Sequence, residues 1–360
     1  MKIPRMKPHA RCNVRNWAVI AVLGVALRTF AAEDPLASLR AFSSFTSVDI
    51  SRLSKGEVLT DRGDGMDFVR GISGEACYVV RKEPAAVARF IISSDPSKGA
   101  PDSVYYHKKF SGVVPDSVFV EMKLDDSKFG QRRVVGKTLE VGGGKADFFM
   151  SKAEMVRFEE VAKQGRAAGL KPAEIAAHCW SSLFVGRATA FLKSGLDNLD
   201  PYETGRAPVK PADEMRQLLD EVPEVREHFR GLLSQTGLLG SPNAAPRLAP
   251  ECYAELMNAQ VSASFDLGAI FVKELPGGEV QVLDCQYYSS AAYSVSLTLF
   301  HLWPIQVDGA PATLAWRGDL LSAPLLEVTH GTARMAWGLV MMREIKQSIQ
   351  IFQKDILKAP

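Results

Sequence analysis

The sequence predicts an α+β fold in which an antiparallel sheet is packed by a long C-terminal helix, with a helical block inserted in the middle. Three observations lead to this prediction. Residues 293–301 alternate apolar and polar side chains, which is the period of a half-buried antiparallel strand. Apolar residues recur at helical spacing near the C-terminus, and helix-capping residues cluster between 151 and 195. The 360 residues, 46% hydrophobic and 23% charged, are numerous enough to bury a large core.

The N-terminus has the pattern of an export signal. A basic stretch precedes an apolar run over residues 17–27, and this run is too short to cross a membrane. Thr29 and Ala31 then supply the small residues of a cleavage site. We expect residues 1–31 to be a signal peptide cleaved near Ala31, which leaves a periplasmic or secreted chain; an uncleaved membrane anchor is the alternative.

The charge balance changes once that segment is removed. Six of the 43 basic residues and none of the 41 acidic residues lie in residues 1–31, so the net charge falls from +2 to −4. A mature chain of this charge gives no electrostatic reason to expect a nucleic-acid partner. No later apolar run is long enough to span a membrane, so we expect no transmembrane segment in the mature chain.

Residues 32–150 read as an N-terminal α+β segment. Short helices are expected after Asp34 and over residues 48–53, and a strand over residues 57–60. Residues 77–80 favour a strand, and Pro84 then occupies the first position of a helix. A glycine-containing hairpin is expected between residues 134 and 149.

Residues 151–258 form the predicted helical block. Ser151 and Glu154 have the spacing of a capping box, and the helix that they begin should end before Gly169. A second helix should begin at Pro172 and end at about residue 193, with Gly195 as its C-terminal cap. A third is expected over residues 211–233 with an interruption near Pro223, and a short helix over residues 250–257 should close the block.

Residues 259–360 carry the predicted sheet and the terminal helix, and we expect them to form one domain with residues 32–150. Strands are expected over residues 265–271, 279–285, 293–301 and 312–320, separated by glycine-containing turns. The terminal helix has an apolar stripe at spacings of three and four residues. This stripe consists of Trp337, Met341, Ile345, Ile349, Phe352 and Ile356.

The cysteines and histidines show no metal-binding spacing. Four cysteines follow the predicted signal, namely Cys77, Cys179, Cys252 and Cys285. An even number in an exported chain permits two disulfides in three alternative pairings, among which the sequence does not choose. Their wide separation fits no zinc module, and no nucleotide-binding fingerprint occurs. We therefore expect neither a metal nor a cofactor.

Residues 77–87, Cys-Tyr-Val-Val-Arg-Lys-Glu-Pro-Ala-Ala-Val, resemble the first strand and following helix of the START-like (helix-grip) superfamily. The strands over residues 265–320 and the helix over residues 333–356 are similar to that superfamily's ending. The resemblance covers about half of the mature chain, and the helical block departs from it. It implies a curved sheet crossed by the terminal helix, with a cavity between them that takes hydrophobic molecules such as lipids or polyketides.

This resemblance implies an exported noncatalytic binding protein for a hydrophobic small molecule or lipid. The candidate ligand-binding residues in such a cavity are Tyr288, Tyr293, Leu297, His301, Trp316, Trp337 and Met341. One alternative is an exported hydrolase or lyase that uses residues such as His301 and Tyr293 in the same cavity. Another is an envelope protein-interaction module without a cavity.

Overall fold

The computed structural model describes residues 34–358 except for residues 64, 100–102, 113, 115–118, 120–121, 145, 204–206, 240–245 and 260–261. The predicted signal peptide, residues 1–31, lies outside the described residues. The strands are β1 (Val58–Asp61), β2 (Gly71–Val80), β3 (Val104–Phe110), β4 (Glu251–Ala259), β5 (Ser262–Glu274), β6 (Val280–Ser289), β7 (Val295–Val307) and β8 (Ala310–Ser322). The helices before β4 are α1 (Pro35–Phe42), α2 (Ile50–Leu53), α3 (Pro84–Ser93), α4 (Pro96–Gly99), α5 (Phe129–Leu139), α6 (Lys152–Ala167), α7 (Pro172–Ser194), α8 (Pro211–Asp220), α9 (Pro223–His228) and α10 (Arg230–Leu233). After β8 come α11 (Pro324–Glu327) and α12 (Gly331–Lys358).

The eight strands form one curved, unclosed antiparallel sheet in the order β1-β2-β8-β7-β6-β5-β4-β3. Strands β4 to β8 follow one another as neighbours, as the alternating segments and intervening turns predict. The early strand β2 enters this sheet beside the last strand, β8, pairing from Gly71 with Ser322 to Val80 with Thr313. An early segment of the chain is therefore paired with a late one inside the sheet. The predicted α+β fold, with an antiparallel sheet packed by a long C-terminal helix, is confirmed.

One face of the sheet, here called the helical-block face, is covered by α5 to α10. Alternate strand residues such as Cys77, Phe265 and Leu267 point to this side and join the same core as Trp180 and Phe184 of α7. That core is continuous from the sheet into the helices. The block thus buries its apolar side chains against the sheet.

The opposite face, here called the terminal-helix face, is covered by α3 and α12. Ile345, Ile349 and Ile356 of α12 are buried in a second core with sheet residues such as Tyr78 and Leu302. These isoleucines belong to the stripe that the sequence predicts, and the other side of α12 is exposed. The sheet is therefore the middle of three layers. In the described part of the chain, no helix combines the length and apolar character needed to cross a membrane.

The helix caps follow the sequence closely. The side chain of Ser151 accepts a hydrogen bond from the backbone of Glu154, whose carboxylate accepts one from the Ser151 backbone, so the predicted capping box forms. Helix α7 begins at Pro172 and ends at Ser194, followed by Gly195 with a φ of 69°. The interruption near Pro223 separates α8 from α9.

Two sequence predictions are wrong. The helix expected over residues 250–257 is replaced from Glu251 onward by strand β4, because backbone pairing with β3 and β5 outweighs the helix preference of residues such as Ala254 and Leu256. The hairpin expected between residues 134 and 149 is replaced at its start by helix α5, which buries Val134 and Thr138 one turn apart and leaves Gly136 exposed.

Candidate functional site

The structure does not gather the seven predicted ligand-binding residues between the sheet and the terminal helix. The helical-block face holds four of them: Tyr288, Leu297, His301 and Trp316. The remaining three, Tyr293, Trp337 and Met341, lie on the side of the terminal helix. Adjacent positions on a strand point to opposite faces, and Phe300, which lies between Leu297 and His301 in β7, belongs to the core on the terminal-helix face. The sheet therefore separates the predicted set.

Within each group the contacts also differ. Tyr293 and Trp337 belong to one small cluster, and the Tyr293 hydroxyl donates a hydrogen bond to Gln286 Oε1 (2.7 Å). Tyr288 is fully buried under the Arg187 guanidinium, which lies 4.5 Å from its ring centre. Trp316, by contrast, lines a cavity.

This cavity lies on the helical-block face, between the end of α1, strands β2 and β8, and the turn from α8 to α9. Its volume is about 310 Å³. The larger apolar side chains that line it are Phe42, Val222, Val225, Leu299, Trp316 and Leu320. A larger and more open groove of about 570 Å³ lies between α6 and α7, but no buried charged side chain lines it.

Trp316 takes its position because Gly318 leaves room for it. The two residues point to the same face of β8, and a Cβ atom at Gly318 would lie 2.3 Å from the Trp316 ring. The indole thus lies over the backbone of its own strand and reaches towards Glu75 on the neighbouring strand. Its Nε1 donates a hydrogen bond to Glu75 Oε2 at 3.1 Å.

Glu75 is the polar centre of the cavity. Besides Trp316, its Oε2 accepts hydrogen bonds from the Ser44 backbone N–H (3.1 Å) and the Ser44 hydroxyl (3.3 Å). Among the described residues its other oxygen, Oε1, has no hydrogen-bond partner, and it lies beside Gly63 at the cavity wall. Burial raises the pKa of the Glu75 carboxyl, and the nearby Asp61 charge raises it further.

The charge around the cavity is negative. Glu221 and Glu224 line it together with Glu75, and the described lining residues include no lysine, arginine or histidine. Glu221 is held in place because its two oxygens accept the backbone N–H groups of Asp67 (2.8 Å) and Phe68 (2.9 Å). The site therefore offers fixed acceptors and a negative potential.

On the far side of Phe42 lies a chain of three titratable groups. The Phe42 ring packs edge-on against Trp316 and stacks on His228, with ring centres 3.7 Å apart. His228 Nε2 lies 2.7 Å from His301 Nδ1, and His301 Nε2 lies 2.9 Å from Glu279 Oε2. If Glu279 is the final acceptor, each imidazole donates from Nε2, and His228 Nδ1 keeps its lone pair.

The environment keeps His228 neutral. Burial and the neighbouring His301 lower its pKa to about 3. Its ring lines a shallow surface depression together with Phe42, Glu224 and Glu227. His301 itself is buried and hydrogen-bonded at both nitrogens, so its role is to connect Glu279 to His228.

The terminal-helix face carries a buried polar group that the sequence analysis did not single out. Asp266 and Asp284 lie on adjacent strands, and burial raises the pKa of each to about 7. The Tyr253 hydroxyl donates to Asp284 (2.8 Å), and the Ser264 hydroxyl donates to Asp266 (3.0 Å). Over the described ranges, no three histidine, cysteine or acidic side chains are arranged to hold a metal ion.

Sequence reasoning missed Glu75, although a signal was present. Glu75 is the single charged residue in the ten residues of β2, most of which are buried. A lone acid in an apolar strand indicates a group with a specific partner or ligand. Ser44 could not be connected to it, because the two residues meet only through the tertiary fold.

Comparison of the chain with protein-family models, with curated proteins and with solved structures finds no match. The resemblance to the START-like superfamily therefore stays a prediction.

Proposed function

We propose that this chain is an exported, noncatalytic binding protein for a small hydrophobic molecule. The observation that carries the proposal is the cavity beside Trp316, where apolar walls surround a partly buried carboxyl group. Binding sites for small molecules are concave and mostly apolar, with a few placed polar groups that orient the ligand. The sequence pattern of residues 1–31 supports export.

The size of the cavity narrows the kind of ligand. Its volume of about 310 Å³ is near the lower end of the range for small-molecule sites, roughly 300–1,000 Å³. This volume favours one compact molecule over a lipid with two acyl chains. The rigid position of Trp316 over Gly318 favours a preformed site.

Binding of Prodan, a neutral apolar dye, tests the proposal. We expect saturable fluorescence enhancement at a stoichiometry of one, because the dye leaves water for an apolar wall. Val222→Phe, which fills part of the cavity, should weaken binding about tenfold or more. Val161→Phe is the matched control, since Val161 is also half-buried but lines the separate groove between α6 and α7.

Two results would contradict the proposal. One is the lack of any saturable dye binding by folded protein. The other is dye binding that Val161→Phe weakens and Val222→Phe leaves unchanged. That result would show that the dye binds in the groove between α6 and α7.

A second candidate function is hydrolysis, and the Glu279–His301–His228 chain is the observation that favours it. A carboxylate that orients one imidazole, which in turn orients another, leaves the Nδ1 lone pair of His228 free to accept a hydrogen bond from an attacking water and to orient it. His228 reaches the surface depression beside Phe42, so this chemistry would act at the mouth of the cavity. We would detect it as hydrolysis of p-nitrophenyl butyrate that His228→Gln abolishes; equal rates for the two proteins would exclude it.

A further inference from the structure

We propose that the ligand of the cavity beside Trp316 carries a protonated amine on an apolar body, and that Glu75 Oε1 is the atom that binds the amine. This inference rests on the proposed function and names the chemical class of its ligand.

The two oxygens of Glu75 are in different situations. Oε2 already accepts three hydrogen bonds, two from Ser44 and one from Trp316, which fix the carboxyl group in one orientation. Oε1 has no partner among the described residues, although it borders the cavity. A carboxylate oxygen with unused lone pairs in a partly buried site can accept a hydrogen bond from a ligand, and a charged donor gives the stronger hydrogen bond.

The charges around the cavity favour a positively charged donor on the ligand. Glu75, Glu221 and Glu224 line the cavity without a basic residue among the described lining positions. Arg62 precedes the lining residue Gly63, but its side chain packs against Gly338 of α12. An ammonium group would be attracted by all three carboxylates, whereas a carboxylate ligand would be repelled by them.

The apolar lining of the cavity favours a ligand whose remaining part is apolar. Leu299, Leu320 and the rings of Phe42 and Trp316 form much of the apolar lining of the cavity. An alkyl or aryl group placed there leaves water, which adds to the free energy of binding. The cavity thus has the composition expected for an aromatic or short aliphatic primary amine.

Displacement of Prodan by three matched probes near neutral pH tests the inference. The probes are phenethylamine, phenethyl alcohol and phenylacetate, which share one ring and differ in the charge of the polar end. We expect the amine to bind about tenfold tighter than the alcohol, and the carboxylate to bind more weakly than either.

Two variants test whether Glu75 causes the preference for the amine. Glu75→Gln keeps an oxygen that can accept from Ser44 and Trp316, but it removes the charge, so the preference for the amine should fall to about twofold or less. Asp284→Asn is the matched control, because it neutralises a buried carboxyl on the opposite face of the sheet and should leave the preference unchanged.

The outcomes separate the inference from the proposed function. Equal affinity of wild-type protein for the amine and the alcohol, with Prodan bound, overturns the inference and leaves the binding function standing. An amine preference that Glu75→Gln does not reduce also overturns it. If neither Prodan nor any probe binds, both fail. Because the comparison of the three probes uses wild-type protein, it decides the matter even if Glu75→Gln does not fold.

Discussion

Single residues in this protein are held by contacts that cross strands, and Tyr253 is the clearest case. Its ring lies over Gly268 on strand β5, and its hydroxyl reaches Asp284 on strand β6. A Cβ atom at Gly268 would lie 2.1 Å from the Tyr253 ring. The absence of a side chain at one position thus permits a hydrogen bond between two others.

Gly268→Ala should therefore destabilise the fold. The added methyl group would displace the Tyr253 ring and break its bond to Asp284, at a cost of about 1–3 kcal/mol in the free energy of unfolding. Gly136→Ala is the control: apart from its chain neighbours and the backbone of its own helix, nothing lies within 4 Å of a Cβ there. It sits in helix α5, so alanine should stabilise by about 0.5–1 kcal/mol. Urea unfolding of both variants checks this, and equal stabilities would contradict it.

The buried carboxyls make a prediction about pH. Burial raises the folded-state pKa of Asp266 from 3.8 to about 7. Between these values the unfolded chain loses the proton and the folded chain keeps it, so stability falls as the pH rises from about 4 to 7. The lowered pKa of His228 acts in the opposite direction between about 3 and 6.5, so the variant must be compared with wild type at each pH.

Asp266→Asn removes this one contribution. Relative to wild type, its free energy of unfolding should be larger at about pH 7.5 than at about pH 5, because only wild type loses stability over this range through the raised pKa of Asp266. Urea unfolding of both proteins at the two pH values measures the difference. A difference that does not change with pH would show that Asp266 titrates normally.

At the scale of elements, the terminal helix α12 is held on the sheet by its apolar stripe. Ile345 is 4% exposed and packs over Gly74 of β2, whereas Gln347 faces solvent two positions later. Arg334 also ties the start of the helix to the sheet by donating to the backbone oxygen of Gly71 (2.7 Å).

Ile345→Asp should cost at least about 3 kcal/mol, since it loses the burial of a large side chain and places a charge in an apolar core. Gln347→Asp should change stability by less than about 0.5 kcal/mol. Thermal melting of both variants tests the pair. Melting of Ile345→Asp at the wild-type temperature would mean that α12 does not pack on the sheet.

Elements with strong local signals were predictable, and those defined by distant pairing were not. The Ser151 capping box and the Pro172 and Gly195 helix ends depend on neighbours within a few residues, so the sequence contains them in full. Strand β4 depends on pairing with β3 and β5, and its local composition favours helix. The cavity could not be predicted from the sequence for the same reason, because Ser44, Glu75 and Trp316 meet only in the folded protein.

At the scale of the whole molecule, the four cysteines of the described residues lie in one core. Cys77, Cys179, Cys252 and Cys285 are free and buried, and all belong to the core that extends from the sheet into the helical block, where the Cys179 thiol lies beside the Phe158 carbonyl of α6. The disulfides that the sequence permits do not form. Burial raises the pKa of Cys77, Cys179 and Cys252 to about 12, so few thiolates form at neutral pH.

The reactivity of these thiols should report on opening of the core that contains them. In a Cys12→Ser protein we expect no reaction with Ellman's reagent in the native state, and reaction of all four thiols once urea unfolds the chain. A reducing agent should leave the melting temperature unchanged. Rapid modification of a thiol in native protein would show that this core opens locally without global unfolding.

The pairing of β2 with β8 has a consequence for synthesis. Strand β2 leaves the ribosome early, but apart from the four-residue β1 its partner is a strand that is made only after most of the chain. Until then the nascent chain carries a long apolar strand with an unpaired edge, which is a template for pairing with other chains. Contacts between such distant segments also form slowly. Translation that stops before β8 should therefore yield aggregates rather than a smaller folded protein. Pairing of β8 with β2 is the step that completes the sheet.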